Sequence, residues 1–86
     1  MGRVDDLIAR MRQNPKGIRF AELCTVCDYY FGEARQKGGS HRLYKTPWPG
    51  DPRINIQDHG GMANAYQVRQ VLKAIERLGA QDHVEG

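Results

Sequence analysis

Apolar residues along the chain fall into two helical stripes and one clean alternation, with a weaker stripe at the start. Val4, Leu7, Ile8 and Met11 recur at i, i+3, i+4 and i+7, the pattern of a short amphipathic helix. Asn14-Pro15 ends it, because the residue before a proline is pushed out of the α region. Isolated helices this short are marginal in water. Residues 1–15 are therefore expected as an accessory helix that docks weakly or serves a partner, or as an extended arm. Phe20, Leu23, Cys24, Cys27 and Phe31 set a second stripe over about 19–30, with Gly32 as its C-cap. Strands are expected at 33–37 and 40–46, joined by a tight turn at Gly38-Gly39. Pro49-Gly50 suits a type II turn in the proline-rich connection 47–52. A third strand at 53–57 turns Ile54 and Ile56 inward and Arg53, Asn55 and Gln57 outward. Asp58 to Gly61 reads as a loop. Val68, Val71, Leu72, Ile75 and Leu78 then form the strongest stripe, with Asn64 and Gln67 spaced as a capping box and Gly79 as the stop.

The order is (α)-α-β-β-β-α. Three antiparallel strands are not stable with both faces wet, so two helices are expected on one face. This is an α+β fold of the double-stranded-RNA-binding-like layout: a three-stranded antiparallel sheet with two helices on one face, plus the N-terminal accessory helix. The core domain spans 16–79, and 80–86 reads as a flexible tail.

Composition narrows the function. The 86 residues suffice for one domain, and at 40% hydrophobic and 27% charged the chain is globular rather than disordered. No apolar run approaches the ~20 residues that cross a bilayer, and the N-terminus lacks the order of a signal peptide. The expected compartment is the cytoplasm, with no membrane partner. The net charge of +3 is modest, but its distribution is uneven. Between residues 35 and 53 the bases Arg35, Lys37, Arg42, Lys45 and Arg53 face one acid, Asp51. Positive charge on the central hairpins favours a polyanion.

The stretch Arg35-Gln-Lys-Gly-Gly-Ser-His-Arg-Leu-Tyr-Lys45 puts an imidazole, His41, just beyond a glycine turn and among cations. With the alternating strand, the His59-Gly60 pair and the closing helix, it resembles the HicA toxins, the messenger-RNA-cleaving halves of HicA–HicB toxin–antitoxin pairs. The resemblance covers roughly residues 18–78; residues 1–14 extend beyond the minimal family unit. It implies a metal-independent endoribonuclease with one catalytic histidine, matched by His41, and no cofactor. It also implies a HicB-type antitoxin that covers the site, the chain being a monomer alone and hetero-oligomeric with that partner.

Each candidate residue has a chemical reason. An imidazole with an ordinary pKa of about 6.5 can take a proton from a ribose 2′-hydroxyl or give one to the leaving oxygen. RNA carries its own nucleophile, so one histidine without a metal is chemically sensible. Lys37, Lys45, Arg42, Arg35 and Arg53 are candidate phosphate contacts. In a regular strand period two sets Arg42 on the face opposite His41, so Lys37 and Lys45 are expected nearest the chemistry; a bulge after the glycines would reset this assignment. Ser40 is a candidate to orient the ring or contact phosphate. Trp48 and Tyr44 are candidates for stacking on unpaired bases or for contacting the antitoxin. His59 is a secondary acid–base candidate, weighed against a loop histidine bonded to its own backbone. Cys24-Thr-Val-Cys27 lacks a second pair at metal spacing and lies on an apolar stripe, so both thiols are expected in the core and no metal site is assigned. The alternative to a nuclease is a non-catalytic RNA-binding module of the same fold. A protein-interaction domain using the N-terminal stripe is a third reading.

Overall fold

Ile54 and Ile56 lie on an inner strand of an antiparallel sheet and face a layer of helices; Ile56 is completely buried. The computed structural model describes residues 2–34, 36–38, 40–46 and 53–84. The helices are α1 (Arg3–Gln13), α2 (Phe20–Phe31) and α3 (Ala65–Val84); the strands are β1 (Gln36–Gly38), β2 (His41–Lys45), β3 (Arg53–His59) and the two-residue β4 (Met62–Ala63). The sheet order is β1-β2-β3-β4, every pair antiparallel. Helices α2 and α3 pack on the sheet, and α1 packs on both of them. The fold is thus a small α+β one, with three antiparallel strands extended by the short β4. Among the described residues no helix is long and apolar enough to cross a membrane.

Helix α1 is more than an accessory. Leu7 and Met11 belong to the same buried cluster as Leu23, Ile56 and Val71, and Met11 has no exposed surface. Acidic Asp5 and Asp6 in its first turn and basic Arg10 and Arg12 in its last complement the helix dipole. Arg10 Nη1 meets Glu22 Oε2 at 2.6 Å, and Glu22 Oε1 accepts from the Arg19 backbone N–H at 3.0 Å. That backbone bond first, and Arg10 second, hold the Glu22 carboxyl below its ordinary value of 4.5. A depressed folded-state value stabilises the fold above 4.5 and loses that contribution as pH falls. Glu22→Gln is therefore expected to shrink the drop in Tm between about pH 6 and pH 3, as thermal denaturation across that range would show.

Three boundaries differ from the sequence reading. The register pairs Gly38 with His41, so Gly38 is a strand residue rather than half of the turn; Gly39 lies outside the described residues. Strand β3 continues through Asp58 and His59, and only Gly60-Gly61 turns, with φ of 60° and 91°. Two successive positive φ values make a type I′ hairpin, which glycine adopts without strain. Asp58 Oδ1 closes it by accepting from Gly61 N at 2.6 Å. β4 then pairs on its other side with residues 18–20: Ala63 N donates to the Ile18 carbonyl at 2.8 Å, and Phe20 N to the Gly61 carbonyl at 3.0 Å. Finally, α3 runs through Gly79 to Val84, where a stop and a tail were expected. Ala80 and Gln81 are good helix formers, and glycine permits a stop without imposing one.

The thiols of Cys24 and Cys27 are buried and free, as their stripe implied. Burial is the main cause pushing both thiol pKa values up, which leaves them protonated and inert.

Candidate active site on the open sheet face

Strand parity sorts β2 and β3 into two faces. His41 pairs with Gln57, Leu43 with Asn55 and Lys45 with Arg53; these six positions share one face. Arg42 pairs with Ile56 and Tyr44 with Ile54, on the side of the helices. On the first face His41, Lys45, Arg53 and Asn55 are exposed and Gln57 and Leu43 half-buried, so that face is open to solvent.

His41 opens β2, and its ring has a defined partner. Gln57 Nε2 lies 2.9 Å from His41 Nε2. With the amide donating, the neutral ring carries its proton on Nδ1. Once Nε2 is protonated, a half-turn of the amide offers Oε1 as acceptor instead. One side chain therefore serves both protonation states. Gln57 is itself held from behind: its backbone N–H, on the edge of β3 beyond the end of β4, donates to Gln67 Oε1 of α3 at 2.8 Å. Gln67 thus fills the next place in the sheet ladder, and Asn64 alone caps α3, its Oδ1 accepting from Tyr66 N at 2.8 Å. Neither glutamine role is visible in spacing, because both depend on the β3–α3 packing.

Of the expected cations, Arg42, Lys45 and Arg53 do not gather around His41. Lys45 and Arg53 share its face but stand four residues along β2, ~13 Å away at the usual strand rise. Lys45 also lines a cleft of 530 Å³ with Phe31, Glu33, Ala34 and Thr46, away from the imidazole. Arg42 is on the opposite face, as its parity required, and works on the helix side. Its Nη1 donates to Tyr44 Oη at 3.4 Å and lies 3.8 Å from Asp28 Oδ2, so it is corrected from a phosphate contact to a brace between β2 and α2. Lys37 sits opposite Arg42 in register, not nearest His41. Arg35 lies outside the described residues, as does Trp48. Ser40 is exposed, and its carbonyl accepts from Asp58 N at 2.8 Å.

Tyr44 has no exposed surface, which rules out stacking on a base. Its hydroxyl donates to Asp28 Oδ1 at 2.7 Å, and burial, then that bond, push the phenol pKa well up. Tyr44→Phe is expected to cost about 1 kcal/mol, a typical hydrogen bond, by urea denaturation. His59 is an exposed strand residue, not a loop residue, and Asp58 beside it is engaged with the hairpin turn. Among the described residues, no group of three His, Cys, Asp or Glu side chains is placed to hold a metal ion.

Comparison with protein-family models, with curated proteins and with solved structures finds no match for this chain.

Proposed function

We propose that the chain is the toxin of a type II toxin–antitoxin pair, a HicA-like endoribonuclease that cleaves messenger RNA without a metal ion through His41. The observation that carries this reading is an exposed imidazole on an open sheet face, held by a side chain able to serve either protonation state. The motif around it, Gly38-Gly39-Ser40-His41, is the one on which the HicA resemblance rests. The order α2-β1-β2-β3-α3, with both helices packed on the sheet, supports the double-stranded-RNA-binding-like assignment; β4 and α1 are additions to it.

The chemistry follows from the substrate. His41 takes the proton of the 2′-hydroxyl, the 2′-oxygen attacks phosphorus, and the bond to the 5′-oxygen breaks. The products are a 2′,3′-cyclic phosphate and a 5′-hydroxyl. Lys45 and Arg53 contact phosphates that flank the scissile one, which supplies affinity without sequence preference. A HicB-type antitoxin in the cytoplasm covers this open face and forms a hetero-oligomer with the chain.

The test is cleavage of a messenger RNA in EDTA by the wild type beside His41→Ala. Cleavage by the wild type alone supports the reading. Salt-sensitive RNA binding without cleavage by either would make the chain a binding module of the same fold.

A further inference from the structure

In-line transfer at phosphorus sets the attacking 2′-oxygen and the leaving 5′-oxygen on opposite sides. A base on one side and an acid on the other are then both useful, and one imidazole does not reach both in a single step. The sheet carries a second imidazole in the right place. His59 follows Gln57 by two residues on β3, so it has the parity of Gln57 and His41. His41 pairs directly with Gln57, which makes His41 and His59 diagonal neighbours, typically ~7–8 Å apart between Cα atoms. His59 is exposed, and its side chain has no hydrogen bond or ion pair among the described residues. Its neighbour Asp58 has the other parity and is spent on Gly61 N. The type I′ turn at Gly60-Gly61 fixes the backbone directly after it.

We propose that His59 is the second proton carrier of this face, acting as general acid opposite His41 on a phosphodiester bound between them. The proposal rests on the ribonuclease reading and deepens it. Gln57 is the side-chain partner of His41: its amide nitrogen lies 2.9 Å from His41 Nε2, and with the amide donating, the Nε2 lone pair is the one that accepts the substrate's proton. The substrate's 2′-hydroxyl exchanges with the amide at that lone pair and passes its proton to Nε2. The O2′–P bond forms, the P–O5′ bond breaks, and the 5′-oxygen takes its proton from the His59 imidazolium. His41 ends protonated and His59 neutral, and water returns both to their starting states. Proton count and charge balance with RNA as the only reactant.

The experiment separates an acid from a residue that only binds. The cleavage site of the wild type is mapped on an RNA oligonucleotide in EDTA. The same RNA is then made with sulfur in place of the bridging 5′-oxygen at that site, a leaving group that needs no proton. His59→Gln is expected to cut the all-oxygen RNA about 10²–10⁴-fold more slowly and the sulfur-bridged RNA at the wild-type rate. Wild-type cleavage of the sulfur substrate also shows that the variant is folded. His41→Ala, lacking the base, is expected to lose both substrates. Equal loss of both by His59→Gln would overturn the acid role, as would an undiminished rate on the all-oxygen RNA; the ribonuclease reading survives either result. A wild type that cuts no RNA in EDTA would overturn the ribonuclease reading and this proposal with it.

Discussion

His41→Ala is expected to lower RNA cleavage in EDTA by about 10²–10⁴-fold, the usual worth of a positioned acid–base group, with no loss of fold. The separation of the two effects follows from where the residue sits. His41 is exposed, at the start of β2, and its side chain holds only the Gln57 amide among the described residues. Losing an exposed polar contact changes stability within about 0.5 kcal/mol. The backbone pairing of Gly38, His41 and Gln57 does not involve the imidazole at all. Gel-resolved cleavage rates and urea midpoints, measured on the same preparations, check both halves. A variant as active as wild type would remove His41 from the chemistry. A variant that is inactive because its midpoint has collapsed would show that the residue has a structural role the sheet geometry does not reveal. Gln57→Leu is a useful companion within the same experiment: the ring then has no partner for either protonation state, so activity should fall while the imidazole is still present.

How far the sequence could be read depended on whether local pattern or distant packing decides the outcome. The stripes of α2 and α3 and the alternation at Ile54 and Ile56 come from contacts that repeat with the element's own period, so they were legible. Parity alone placed Arg42 opposite His41. The same parity sets Tyr44 beside Arg42 on the helix side, where residue type alone suggests an exposed aromatic. Asp58 to Gly61 resembles a loop in composition, yet Asp58 is half-buried and paired with Ala63. What makes a strand of it is β4, held in turn by residues 18–20, some forty positions earlier. The capping box at Asn64 and Gln67 is another such case. The spacing was right, but Gln67 satisfies an edge amide of β3 instead of its own helix, and no local rule foresees that. The placement of His59 beside His41 required the register, which period-two patterns do not fix between strands.

Met11→Ala is expected to cost about 2–5 kcal/mol in urea denaturation, the range for deleting a buried methionine side chain and leaving a cavity. For a chain of this size the loss is a large part of the total, since native domains are stable by only about 5–15 kcal/mol. The size of the loss depends on what α1 is. Eleven residues are too few for a stable helix alone, so its helical state must be supported by packing, and Met11 and Leu7 are the side chains that supply it. Half-buried Ile8, on the same stripe but at its margin, should cost clearly less when cut to alanine. Were α1 a loosely docked arm, neither change would move the midpoint. The consequence reaches the sheet. Through the turn at Pro15–Gly17, α1 leads into residues 18–20, which bond both Gly61 and Ala63 and so clamp the hairpin that carries His59. Loosening α1 by Met11→Ala should therefore raise hydrogen exchange at the Phe20 and Ala63 amides before it raises exchange at Ile56, in the middle of β3. If instead all three amides exchange together, α1 and the hairpin open only with the whole domain, and the clamp is part of a single cooperative unit.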